Sequence, residues 1–202
     1  MRRLELATIP RQPWRNGAGT TRVLAQGTIG PTRAGPGSAI GEHDRDVDWR
    51  VSVAEIAGSA PFSAFAGFDR HAALIDGSAL VLRDADPNAG TGIAFARPGA
   101  IAHFSGETAL VAQQAAPGTR LFNLMTRRGL ATGAIQTLRE PEACLPAGDI
   151  RLLLVIEGRY RLASGETLAP GAGMLVDSDE VLALSRIDAD GWLVCATIAR
   201  TA

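Results

Sequence analysis

Apolar and polar side chains alternate with a period of two along much of this chain. In "WRVSVAEI", residues 49–56, alternation sets Trp49, Val51 and Val53 on one face and Arg50 and Ser52 on the other. In "TRLFNLMT", 119–126, it sets Phe122, Leu124 and Thr126 against Asn123 and Met125, and Arg127 continues the second face. Comparable runs predict strands at 4–9, 20–26, 71–76, 79–83, 92–96, 108–115, 133–139, 150–158, 159–163, 173–178, 181–187 and 192–199. Gly and Pro punctuate them at short intervals, and helical periods are scarce. A row of short strands at this spacing predicts an all-β protein built as a sandwich or a pair of barrels.

The pattern also repeats. "ALIDGSALVLRD" (73–84) and "LLVIEGRYRLAS" (153–164) are each two apolar strands around a Gly turn. Each is followed by a Pro-Gly turn, in "ARPGAIAHF" (96–104) and "LAPGAGMLV" (168–176). A duplicated half predicts two small antiparallel modules, residues 1–126 and 127–202, in one compact unit. The Gly/Pro-rich stretch 27–46 has no apolar period and reads as a long surface loop, a tolerated insertion.

Composition narrows the function classes. The chain has 202 residues, 46% of them hydrophobic and 20% charged, with a net charge of −1. That balance draws it neither to nucleic acid nor to an anionic membrane, and no apolar run reaches the length of a membrane span. All 20 basic residues are Arg, which removes lysine-based chemistry and makes every cation a planar, permanently charged fork. The two cysteines, Cys144 and Cys195, have no motif spacing and read as buried, inert thiols of a reduced, cytoplasmic protein. The N-terminus shows no signal peptide.

Candidate chemistry gathers in three stretches. The first is "PFSAFAGFDRHAALIDGSALVL", 61–82, which has the rhythm of a cupin metal-binding hairpin. Set in that register, the two His positions fall on Ser63 and Phe65 and the Glu position on Arg70. Exchanging such ligands for Arg and Ser turns a cation site into an anion site, because guanidinium binds carboxylate bidentately. Arg50 and Ser52 on the neighbouring strand face extend it. The competing reading is internal pairing, of Arg70 with Asp69 or Glu55 and of Arg50 with Asp48 or Asp46. The second stretch is "PWRNGAGTT", 13–21, where Trp14 makes an aromatic wall beside the Asn16 turn. The third is "LFNLMTRRG", 121–129, in which Asn123 and Met125 share one face.

A metal reading stands against this one. The second cupin signature puts His103 at the fourth ligand position, but one imidazole makes no metal site and no histidine follows it. No metal and no cofactor are therefore expected. An enzyme is the alternative, with His103 or His71 working beside Asp69 or Glu107 as acid and base. Apolar runs such as "RLLLVIEG" suit a core or a dimer face equally, and a homodimer is the expected assembly.

Taken together, "WRNGAGTT", "WRVSVAE", "APFSAFAGFDR" and "FNLMTRRG" resemble, in order, the motifs of the HutD/Ves family of bacterial bicupins. The resemblance spans most of residues 1–130. Ala18 stands where the family has the middle Gly of its Gly-rich turn. What the resemblance implies is a metal-free bicupin that binds a small anionic metabolite of histidine utilisation and regulates flux. The implied ligands are formyl- or formimino-glutamate, or urocanate. Carried over by motif, the pocket residues are Trp14, Asn16, Arg50, Ser52, Ser63, Arg70 and Asn123, with Phe65 as a further wall.

Overall fold

The computed structural model describes residues 1–14, 16–29, 47–86, 92–113, 116, 118–145, 148–177 and 181–201. Most of the predicted loop at 27–46, with His43 and Asp46, lies outside them.

Strands dominate, arranged in four sheets. A six-stranded sheet runs Gln12–Pro13, Gly19–Gly27, Trp49–Ile56, Thr119–Arg127, Phe68–Asp76, Ile101–Ser105. A five-stranded sheet runs Arg2–Glu5, Ala172–Val176, Ile150–Glu157, Trp192–Arg200, Ala131–Leu138. Each faces one four-stranded sheet. The first comprises Ala60–Pro61, Leu110–Gln113, Leu80–Asp84 and Gly92–Phe95. The second comprises Glu142–Cys144, Ala183–Arg186, Tyr160–Leu162 and Thr167–Leu168.

Three apolar clusters show how the sheets stack. Val51, Val53, Phe122 and Leu124 of the six-stranded sheet pack against Leu152, Leu154, Val194 and Ile198 of the five-stranded one. Ile56, Leu74 and Leu121 on the opposite face meet Leu80, Leu82, Phe95 and Leu110. Leu153, Val155 and Cys195 meet Tyr160, Leu162, Leu168 and Leu184. The two large sheets are thus inner layers, apolar on the faces they share. This explains the uninterrupted run "LLLV": a strand buried on both faces has no polar side to alternate.

The alternation read in 49–56 and 119–126 holds residue by residue. Trp49, Val51 and Val53 enter the central cluster, whereas Arg50, Ser52, Asn123 and Met125 face the other way. Three expectations need correction. The strand expected at 4–9 stops at Glu5 and becomes a 3-10 turn, Leu6–Thr8. Arg22 Nη1 donates to the carbonyls of Leu6 (2.8 Å), Ala7 (3.1 Å) and Ile9, which takes them out of any ladder. The Pro-Gly turn forms at 98–99 as expected, but Ile101–Ser105, where no strand was expected, follows it as the edge strand beside Phe68–Asp76. Finally, Arg2–Glu5, expected within the first module, pairs antiparallel with Ala172–Val176 and so straps the first residues to the five-stranded sheet.

Candidate functional site: a cavity with a buried arginine

The polar face of the six-stranded sheet is the floor of a cavity of about 440 Å³. All eight residues singled out from the sequence, Trp14, Asn16, Arg50, Ser52, Ser63, Phe65, Arg70 and Asn123, line it. The floor is ordered by strand register. Met125 lies opposite Arg50 on one side and Arg70 on the other. One step along, Asn123 lies between Ser52 and Ala72, and beyond that Leu121 lies between Ala54 and Leu74. The sheet therefore presents a cationic row, a hydrogen-bonding row and an apolar row.

Arg70 is 6% exposed. Its Nη1 donates to the Ser63 carbonyl at 3.2 Å, and Nε is buried without a hydrogen-bond partner in the protein. The rings of Phe62, Phe65 and Phe104 surround the guanidinium at 5.4, 5.4 and 5.1 Å from its central carbon. Burial, with a smaller contribution from the Arg50 charge, pulls its pKa down to about 10. The internal pairs that the sequence allowed for Arg70 are not formed. Asp69 pairs with Arg128 at 3.0 Å, Glu55 with Arg11 at 3.3 Å and Asp48 with Arg127 at 3.4 Å. Among the described residues no carboxylate pairs with Arg70. A buried cation held only by ring faces and one carbonyl is costly unless an anion arrives to share the site.

The "WRNGAGTT" turn supplies the rim. Trp14 Nε1 donates to Thr21 Oγ1 at 2.8 Å, and its ring meets Phe62 edge-on, 5.7 Å between centroids. Asn16 spends both ends of its amide on the loop: Nδ2 donates to the Pro61 carbonyl (3.4 Å), and Oδ1 accepts from the Ala18 N–H (3.1 Å). The two flanking glycines carry the constraints. Gly17 has φ +70°, and a Cβ on Gly19 would stand 2.6 Å from the Glu55 carbonyl oxygen. The middle position carries neither constraint, which accounts for Ala18.

The two described histidines lie elsewhere. His71 and His103 are cross-strand partners whose rings stack 4.3 Å apart. They project from the face opposite Arg70, Ala72 and Phe104, so they do not reach the cavity. The fourth-ligand position expected at His103 is filled by Phe104, directly opposite Arg70. A one-residue slip along a strand reverses the face. Glu107 is also committed: it accepts from the Gly67 N–H (2.6 Å), Arg128 (2.9 Å) and the Ser105 hydroxyl. The Arg128 hydrogen bond above all holds its carboxyl well below the usual carboxylate range. Sequence reasoning missed Gln12, Phe62 and Phe104. Phe62 had an available signal in its place beside Ser63; Gln12, on the short strand Gln12–Pro13, had none.

A larger cavity of about 750 Å³ opens at the seam of the two inner sheets. Its cations are all engaged: Arg11 pairs with Glu55, Arg120 with Asp76, and Arg22 holds the carbonyls of the 3-10 turn, while Glu157 adds a negative charge. The smaller cavity, with its unneutralised buried cation, is the better candidate.

Stacked sheets with a cavity on the inner face of one of them define a cupin-like, all-β protein. An oxalate decarboxylase variant of Bacillus subtilis shares that fold, with a TM-score of 0.59 at 10% identity over 99% of this chain and 77% of that one. The HutD family model matches residues 6–194, and the chain belongs to the HutD family. The structure of HutD from Pseudomonas fluorescens aligns with a TM-score of 0.77 and 19% identity, covering 100% of this chain and 99% of that one. A conserved protein of unknown function from Pseudomonas aeruginosa aligns at 0.78 with 24% identity, covering 98% of each. The Ves protein of Citrobacter koseri is 33% identical over 82 residues, 41% of this chain and only 36% of that protein's length.

Proposed function

We propose that this chain is a metal-free bicupin that binds a small acidic metabolite in the cavity above Arg50 and Arg70. One observation carries the reading: a guanidinium buried at the cavity, ringed by phenylalanines, with no carboxylate partner among the described residues. A ligand carboxylate would accept charge-assisted hydrogen bonds from it and relieve the repulsion between the two arginines. Aromatic walls exclude water, which strengthens those bonds. Within the HutD family this supports a cytoplasmic regulator of histidine utilisation that senses an acidic intermediate such as formyl- or formimino-glutamate or urocanate.

Thermal unfolding of metal-stripped protein against a panel of such acids tests the proposal. A ligand at about a hundred times its Kd adds roughly 2.7 kcal/mol to stability, an easily read shift. A shift with one acid that disappears in Arg70→Ala is the expected result. A shift that survives Arg70→Ala, or appears only when a divalent metal is added, overturns it.

A further inference from the structure

We propose that the cavity at the seam of the two inner sheets is a second small-molecule site, one that takes an organic cation with an aromatic or branched aliphatic body. It is separate from the Arg70 cavity and does not depend on what that cavity binds.

The two inner sheets build the same corner differently. On Phe68–Asp76 the pairing with Thr119–Arg127 passes from Leu74 opposite Leu121 to Asp76 opposite Arg120, so Ile75 is an extra residue. On Ile150–Glu157 the pairing with Trp192–Arg200 passes from Val155 opposite Leu193 to Glu157 opposite Trp192, and Ile156 is the extra residue. A bulge of this kind re-aims the side chains beyond it. Strict alternation would send Glu157 outward with Leu153 and Val155. The bulge brings it instead to the side of Trp192, which belongs to the seam cluster. Asp76 and Glu157 thus hold matching places, each immediately before a positive-φ glycine, Gly77 or Gly158.

Their partners do not match. Asp76 is neutralised by Arg120, its cross-strand neighbour. The residue opposite Glu157 is an indole, and among the described residues no hydrogen bond or ion pair reaches the Glu157 carboxylate. The other cations near the seam are committed. Arg11 pairs with Glu55 at 3.3 Å, and Arg22 holds the carbonyls of the 3-10 turn. Arg139 lies over the Trp192 ring, 4.7 Å from its centroid, and donates to the Pro98 carbonyl at 3.3 Å. One carboxylate therefore faces a cavity of about 750 Å³ without a counter-charge.

The walls behind it are apolar, with Val53 and Ile75 on one sheet and Leu154, Ile156 and Trp192 on the other. A cavity of that size accommodates a small molecule. An ammonium or guanidinium on Glu157, with its hydrocarbon part between the sheets, satisfies both features. An anion would meet Glu157 unpaired. Strand Trp49–Ile56 divides this cavity from the other: Val53 and Glu55 face the seam, Ser52 and Ala54 the Arg70 side, so both sites can be filled at once.

The probes are 2-phenylethylamine and 3-methylbutylamine, each titrated calorimetrically at neutral pH beside the alcohol of the same skeleton. Each amine is expected to bind about fivefold to tenfold more tightly than its alcohol, the worth of one partly solvated ion pair. Glu157→Gln is expected to bring the amine down to the alcohol's affinity, and Glu157 is exposed, so the exchange spares the core. Arg70→Ala is expected to leave the ratio unchanged. If neither amine binds more tightly than its alcohol, if the preference survives Glu157→Gln, or if it is lost in Arg70→Ala, the seam site is overturned. None of these outcomes touches acid binding above Arg70, which the thermal-shift panel reads separately.

Discussion

Arg70 and Arg151 hold the same place in the two inner sheets. Each lies seven residues before a positive-φ glycine, Gly77 or Gly158, and each points away from the seam the sheets share. Their neighbours differ. Beside Arg70, across Met125, is Arg50, on a strand that Gly19–Gly27 covers in turn. The corresponding residue beside Arg151, across Thr197, is Ala134, on the exposed edge strand Ala131–Leu138. The interior next to Arg151 is filled by Leu153, Met174, Tyr160 and Leu184. Each of the two large sheets thus carries one buried arginine, and among the described residues the polar floor surrounds Arg70 and not Arg151.

That difference makes Arg70 a residue kept at the expense of stability. Its ring contacts recover part of the desolvation cost, but replacement by an apolar side chain of similar length removes the cost entirely. Arg70→Met is expected to raise unfolding stability by about 1–2 kcal/mol in urea while abolishing acid binding. A variant less stable than the native protein would show that the guanidinium is a structural element.

The histidines and Glu107 give the opposite pattern. Because His103 projects from the far face of the sheet and Glu107 is committed to Arg128, Gly67 and Ser105, neither reaches a ligand above Arg70. His103→Ala and Glu107→Gln should leave ligand affinity within about twofold of native. A loss of tenfold or more in either would return them to the site.

What the sequence showed of this site was its strand faces. Period-two alternation places Arg50 and Ser52 on the side opposite Val51 and Val53 without any knowledge of the partner strand, and the hairpin register did the same for Ser63, Phe65 and Arg70. Pairing partners were not legible. Asp69 is adjacent to Arg70 in sequence, but on a strand adjacent residues face opposite ways, and Asp69 meets Arg128 instead. His103 failed for the same reason, a motif register off by one residue. The strap of Arg2–Glu5 across to Ala172–Val176 depends on a contact between the two ends of the chain, which no local pattern encodes.

The rim turn offers a test of which glycine matters. An alanine at position 19 would set its Cβ 2.6 Å from the Glu55 carbonyl oxygen and 3.0 Å from the Trp14 ring. Gly19→Ala should cost about 2–3 kcal/mol and weaken ligand binding by displacing Trp14. Ala18→Gly should cost no more than about 1 kcal/mol. Chemical denaturation of the two variants checks the order, and a reversed order would refute the account.

Sequence reading treated both cysteines alike, and the structure separates them. Cys144 is exposed; Cys195 is fully buried, and burial pushes its thiol pKa up to about 12 against the opposing pull of Arg151. A disulfide reagent at pH 8 should therefore titrate one thiol in the folded protein and two in urea. Cys144→Ser should abolish the folded-state reaction. Reaction of two thiols before unfolding would mean that the second half opens readily.

Acid sensitivity should come in part from the stacked histidines. Burial first, then the His103 ring, lower the His71 pKa to about 4, while Asp69 works in the opposite direction. An unfolded histidine takes its proton near 6.5. Between these values the unfolded state holds more protons than the folded one, so stability falls as pH drops from about 6.5 to about 4. Above that window the histidine contributes no slope, and below it both states are protonated. Full burial would make the loss about 3 kcal/mol; His71 is partly open to solvent, so about 1–2 kcal/mol is expected. Carboxylates also begin to titrate at the lower end of the window, so the measurement must be a difference. Urea midpoints taken at pH 7 and pH 4.5 for the native protein and for His71→Phe isolate the histidine. The variant should lose less stability on acidification by that amount, and equal losses would show that the imidazole is solvated in the folded state.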